Sequence, residues 1–303
     1  MASLEPDRLL DRRRLKRGVA IWRALAIVAL VAAALVGAMP FAFDEGERVA
    51  RLWVSGFIED DPGRDRIVAD LRNDDTVKAV VLRLDSAGGT AVGGEALYLS
   101  LRSLAEKKPV VAVLGTTATS AAYMAALAAD RLLARESSLT GSIGVLFQTA
   151  EFTALLEEIG VRAEAIRSGP LKAKPMPYEE LDDPTRQAVR SMVSDIYEYF
   201  LRLLMERRSL DRETALTLAD GRVFTGRQAV RAGLVDAIGG EEEARAWLAQ
   251  AHGVPKSVPA TDVTTGDESG LLGTLDAALK RSLPVRTLAL DGLIAVWHPE
   301  LSD

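Results

Sequence analysis

"VKAVVLRLDSAGGTA", residues 77–91, begins as a nearly unbroken apolar run and ends on two glycines. A strand with one wet face alternates apolar and polar residues; this one does not. Such a run suits a strand covered on both faces, the usual condition of a parallel sheet. Glycines at the end of a buried strand mark a place where other atoms approach the backbone closely. Whatever sits against Gly88 and Gly89 is therefore the first question.

The flanking sequence repeats the theme. "RVARLWVSGFI" reads as a strand, and "DDPGRD" as a turn into a short helix. "GGEALYLSLRSLAEKK" is an amphipathic helix, "PVVAVLG" a strand, and "SAAYMAALAAD" a helix of small residues. "RLLAR" and "SIGVLF" read as short strands, "FTALLEEIG" as a helix and "VRAEAIRSG" as a strand. A long amphipathic helix is expected over 178–208, a shorter one in "DRETALTLAD", then a glycine-punctuated return and a helix in "EEEARAWLAQAHG". "ATDVTTGDESG", 260–270, has the composition of a linker. Strand–helix alternation of this kind predicts an α/β fold with a largely parallel sheet.

Composition narrows the function. The 303 residues carry a net charge of −6, which disfavours nucleic acid as a partner. There is no cysteine, so disulfides, thiolate metal sites and a cysteine nucleophile are excluded. The two histidines, His252 and His298, make a histidine metal site improbable. No phosphate-binding GxxxxGK[ST] occurs, and "GGTAVGG" lacks the dinucleotide spacing.

The charge is uneven. Arg12, Arg13, Arg14, Lys16, Arg17 and Arg23 precede Ala24–Phe43, twenty residues without a charge. As a helix that stretch spans the ~30 Å core of a bilayer. It is longer than the apolar core of a cleaved signal peptide and has no polar face. The expectation is a single-pass anchor with a cytoplasmic N-terminus and an extracytoplasmic remainder.

Two segments hold candidate chemistry. Ser120 follows an apolar strand and opens a helix, where N–H groups favour a developing negative charge. A serine there also serves simply as an N-cap. A serine nucleophile needs a base; His252 and His298 read more easily as a helix-end residue and a packing residue, and the other option is a lysine. In "RSGPLKAKPMP", 167–177, Lys172 has small and apolar neighbours and could turn inward, with Lys174 as its rival. A lysine is a base only when neutral, which burial promotes. The residues alone leave both lysines open to being ordinary solvated side chains.

"DSAGGTA", "TSAAYMAALAAD", "TGSIGV", "SGPLK" and "GRVFTGRQAVRAGLVDAIGG" occur in this order over roughly residues 49–250. Together they resemble the signal peptide peptidase A family, membrane-anchored serine proteases with a Ser–Lys dyad. The resemblance implies a ClpP/crotonase-like superhelix of ββα units behind an N-terminal transmembrane helix. It makes Ser120 the nucleophile, Lys172 the general base and Ser142 the serine that orients the lysine. Gly88, Gly89 and Ala121 would form the oxyanion hole, where a side chain at the glycines would crowd the substrate carbonyl. No metal or cofactor is implied. The implied substrates are signal peptides left in the membrane, and the implied assembly is a ring-like homo-octamer in which serine and lysine come from neighbouring copies.

The expected organisation is a basic segment over 1–23, the anchor over 24–43, the protease domain over 48–252 and a linker and tail over 253–303. Ala87 stands where the family commonly has proline, which loosens the turn. Pro170 and Ala173 differ from the usual polar neighbours of the lysine. Two other readings compete. A crotonase-type acyl-CoA enzyme would use carboxylates such as Asp85 or Asp130, and an inactive membrane scaffold would need neither serine nor lysine.

Overall fold

The computed structural model describes residues 46–263, the backbone of Leu293–Val296, and Trp22, Arg23 and Ile27. The chain divides into two compact units, Met1–Gly46 and Glu47–Asp303. In the first, Trp22, Arg23 and Ile27 are helical and exposed. The expected anchor over 24–43 lies, but for Ile27, outside the described residues; among those described, no helix is long and apolar enough to cross a membrane.

The described residues of the second unit are built on a sheet of ten strands. β1 (Arg48–Ile58), β2 (Val77–Thr90), β3 (Val110–Thr119) and β4 (Arg131–Ala134) pair in parallel in that order. The opening run reads correctly as a strand covered on both faces. Val80, Leu82 and Leu84 of β2 enter the larger core with Ala50, Leu52 and Val54 of β1 and Ala112 and Leu114 of β3. The alternate residues Ala79, Val81, Val111 and Val113 face a second core against Ala244 and Leu248. Period-two geometry thus sends successive apolar side chains to opposite layers.

Helices α1 (Pro62–Asn73), α2 (Ala91–Ala105), α3 (Ala121–Ala126) and the end of α5 (Asp183–Arg208) cover the first face. Between α3 and α5 lies the short α4 (Thr153–Glu158). α1 starts where Asp61 caps it, accepting from the N–H groups of Gly63 and Arg64, with Pro62 just inside. α6 (Arg212–Leu218), α7 (Gly226–Arg231) and α8 (Glu241–His252) follow, and α8 covers the second face.

Several local expectations are corrected. "SIGVLF" is not one strand: β5 (Leu139–Gly141) precedes it and β6 (Leu146–Phe147) is its end. Ser142 interrupts pairing because it sits at φ +50°. "VRAEAIRSG" forms no strand; it is mostly exposed, and no strand among the described residues pairs with it. The long helix begins at Asp183, capped by Asp182, rather than at 178. Within the stretch with linker composition, Ala260–Val263 forms β9, parallel to β1.

β7 (Val223–Thr225) pairs antiparallel with β5, and β8 (Ala237–Ile238) parallel with β4. β10 (Leu293–Val296) runs antiparallel to Gly88–Thr90 and to β6. Gly88 and Gly89 pair with β1 on one edge and β10 on the other. The β2–β3 ladder ends at Ser86↔Ala118, so β10 occupies the edge that β3 leaves.

Candidate active site

Ser120 sits where β3 hands over to α3, at φ 56° and ψ −121°, and is 1% exposed. A non-glycine residue at positive φ is strained and persists only where its surroundings hold it. Here Ser120 N–H donates to Gly141 O at 2.8 Å, and Met124 N–H donates to Ser120 O at 2.9 Å. Although Ser120 occupies the N-cap position, its side chain caps nothing. The bland reading of this serine as an N-cap thus loses its main support. α3 is entirely buried, and its first residue, Ala121, has an N–H that no carbonyl of its own helix can take.

Ser142 comes next to this point through β5. Thr119 pairs with Gly141, and Ser142 N–H donates to Arg222 O at 2.8 Å. Ser142 is half-buried and is also left-handed. Among the described residues four non-glycines have positive φ: Ser120, Ser142, Ala173 and Ser209. Two of these are the candidate catalytic serines and a third adjoins Lys172.

The glycine turn lies opposite. Gly88 adopts φ +122°, which a side chain rarely tolerates. At Gly89 a Cβ would lie 1.9 Å from the carbonyl oxygen of Ile58. The close approach that the sequence implies is thus made by β1. Backbone packing demands Gly89 regardless of any substrate. The N–H of Gly88 donates to Ser86 Oγ at 3.1 Å.

The two lysines differ. Lys174 Nζ lies 2.6 Å from Asp182 and 3.9 Å from Glu179. The hydrogen bond from Lys174, then the N–H of Thr185, hold the Asp182 carboxyl well below the usual carboxylate range. A base would have to abandon these partners. Lys172 is exposed, and its amine has no hydrogen bond or ion pair among the described residues. Its backbone is fixed in a turn by an N–H bond to Gly169 O at 3.1 Å.

Other candidates have structural work. His252 ends α8 and meets Trp247 edge-on at 4.7 Å; His298 lies outside the described residues. Asp85 accepts from Thr117 N–H, and Asp130 from Val110 N–H, so both carboxylates close the backbone of β3. The hydroxyls of Ser86 and Thr119, which sequence reasoning passed over, tie the glycine turn to its surroundings. The signal available was their position, each beside a candidate site residue.

The chain matches Peptidase family S49 over residues 102–255. It is 35% identical over 217 residues to a "Putative protease" of Synechocystis sp., covering 71% of this chain and 78% of that one. It is 32% identical to "Serine protease SPPA, chloroplastic" of Arabidopsis thaliana, over 73% of this chain and 34% of that one. It is 30% identical to "Protease 4" of Haemophilus influenzae, over 80% of this chain and 41% of that one. Among solved structures, a ClpP1 mutant from Listeria monocytogenes aligns with TM-score 0.43 at 16% identity, over 64% of this chain and 92% of that one. With a family match over half its length and a relative of more than 30% identity along most of both chains, this chain belongs to peptidase family S49, the signal peptide peptidase A family of serine proteases.

Proposed function

We propose that this chain is a membrane-anchored serine endopeptidase that hydrolyses remnant signal peptides with a Ser120–Lys172 dyad, on a ClpP/crotonase-like architecture. The observation that carries the reading is the backbone of Ser120: buried, at positive φ, uncapping, and hydrogen-bonded to Gly141, the residue before Ser142. Neutral Lys172 takes the Ser120 proton as Oγ attacks the peptide carbonyl. The tetrahedral oxyanion rests on the N–H groups of Gly89 and Ala121. Collapse breaks the C–N bond, Lys172 protonates the leaving amine, and water repeats the sequence on the acyl-enzyme. Gly88 supplies the turn rather than a donor, since its N–H is already engaged.

Substrate would bind as a strand along the edge of β2 beyond Ser86, taking the place that β10 fills antiparallel to Gly88–Thr90. The anchor expected over 24–43 would hold the site near the bilayer where signal peptides are released, with the catalytic unit on the extracytoplasmic side.

The lysine is best supplied by a second copy in a homo-oligomer, an octamer by family resemblance. Lys172 is exposed, and its amine has no hydrogen bond or ion pair in its own chain among the described residues. Its arm is also unusually apolar outside: Phe152, Leu155, Ile159, Val161 and Leu171 are exposed, and Ile166 is 97% exposed. No residue of α4 is fully buried in its own chain. Exposed apolar patches of this kind mark interfaces. The test is mass spectrometry after fluorophosphonate treatment of the detergent-extracted protein. Label on Ser120, absent in Ser120→Ala, is expected; label elsewhere with Ser120→Ala fully active would overturn the reading.

A further inference from the structure

The turn that carries Gly88 and Gly89 is not tied to the nucleophile by backbone pairing. The β2–β3 ladder shifts register after Leu84 and ends at Ser86↔Ala118. Past that pair the strands diverge. One hydrogen bond then joins them: Thr119 Oγ1 donates to Ala87 O at 2.9 Å. Thr119 is 0% exposed and immediately precedes Ser120. Ala87 immediately precedes Gly88.

We infer that Thr119 is a positioning residue whose hydroxyl sets the distance between the two oxyanion donors. The inference rests on the proposed Ser120 site and deepens it. On one side of the bond, two peptides on from Thr119, lies the N–H of Ala121. On the other, two peptides on from Ala87, lies the N–H of Gly89. A single part-buried clamp therefore joins the two arms of the hole. Ser86 completes the hold from the far side: its Oγ donates to Gly56 O at 2.5 Å and accepts from Gly88 N–H at 3.1 Å. Thr140 Oγ1 donates to Ala118 O at 2.7 Å and steadies the nucleophile strand one residue earlier.

Residue 87 explains why such a clamp is needed. Alanine leaves φ free where a proline ring would restrict it. The turn is then held by hydrogen bonds, and the Thr119 bond is the one that refers it to Ser120. Donor placement matters steeply in such sites, because a small misplacement weakens the bond in the transition state.

Thr119→Val keeps the shape and removes the donor. With a fluorogenic peptide that the wild-type chain hydrolyses, kcat is expected to fall about tenfold with KM within about twofold. Affinity for a peptide aldehyde, whose adduct oxygen occupies the hole, should fall by about the same factor as kcat/KM. Thr119→Ser, which restores a hydroxyl, should return kcat to within about threefold. A bond that only stabilises the fold would lower Tm and leave kcat and aldehyde affinity unchanged. That result, or a loss confined to KM, would overturn the inference. Should Thr119→Val not fold, Thr119→Ala is measured in the same way and judged by the same outcomes. Ser120→Ala separates the two levels. If it is inactive while Thr119→Val behaves as wild type, only this inference fails; if it is fully active, the site itself is misassigned.

Discussion

At the scale of single residues, the candidate site is a set of small side chains whose backbones carry the strain. Ser120 was legible as a candidate because it follows an apolar strand and opens a small-residue helix. Its left-handed backbone was not legible, since φ there is imposed by Gly141, which arrives from β5. Sequence alone could not separate Lys172 from Lys174, two residues apart in one loop. The carboxylates of Asp182 and Glu179, further along the same connection to α5, separate them once the chain turns back on itself. Lys172→Met is therefore expected to reduce peptidase activity at least ~10³-fold, as loss of a general base does. Lys174→Met should retain activity within about threefold and lower Tm slightly through the lost pair with Asp182. Peptide hydrolysis and thermal melting of both variants check this, and the reverse ranking would transfer the base role to Lys174.

Elements were read best where one pattern dominates. β1 begins and ends as its sequence suggests, at Arg48 and Ile58. β2 was legible as a doubly covered strand because both cores draw on it. The "VRAEAIRSG" segment was misread because β-like composition needs a neighbouring strand to become a strand, and none among the described residues pairs with it. β9 was missed for the opposite reason: polar composition conceals a strand recruited by the exposed edge of β1. Gly89 shows how an element's packing sets a residue. Gly89→Ala forces a Cβ to 1.9 Å from Ile58 O and 2.6 Å from Ile58 N, both backbone atoms. A loss of roughly 2–4 kcal/mol is expected from such overpacking. Gly144→Ala, whose Cβ would find its nearest neighbour at 3.7 Å, should be near neutral. Denaturant titration of the two variants makes the comparison, and equal stabilities would contradict this account of the turn.

At the scale of the molecule, charge also ties the ends of the fold together. Arg51 on β1 binds Glu241 at 2.6 Å and Asp262 on β9 at 2.6 Å, and Arg83 reaches Glu241 at 3.3 Å. Burial works to raise the Glu241 carboxyl, but Arg51 and Arg83 together hold it below its ordinary value. Arg51, then Trp53, lower Asp262. A carboxylate with a depressed folded pKa contributes stability above its unfolded value near ~4 and loses it as pH falls through the folded value. Tm should thus be flat at neutral pH and fall below about pH 4. Arg51→Met should cost roughly 1 kcal/mol at pH 7, and the cost should shrink as pH falls through the depressed folded pKa values of its two partners. An Arg51→Met difference that persists undiminished in acid would contradict the assignment.

The arrangement of copies was the least legible feature, since one chain's sequence does not say whose lysine meets whose serine. The exposed apolar arm around Lys172 and the buried Ser120 make the strongest case for a site shared between copies. The most direct measurement is the peptidase activity of Ser120→Ala and Lys172→Ala chains, each alone and co-expressed as one assembly. Each alone should be inactive, and the mixture should recover about a quarter of wild-type activity, as random neighbours in a closed ring would give. A mixture as inactive as its parts would contradict the shared site, and activity in either single variant would contradict the dyad.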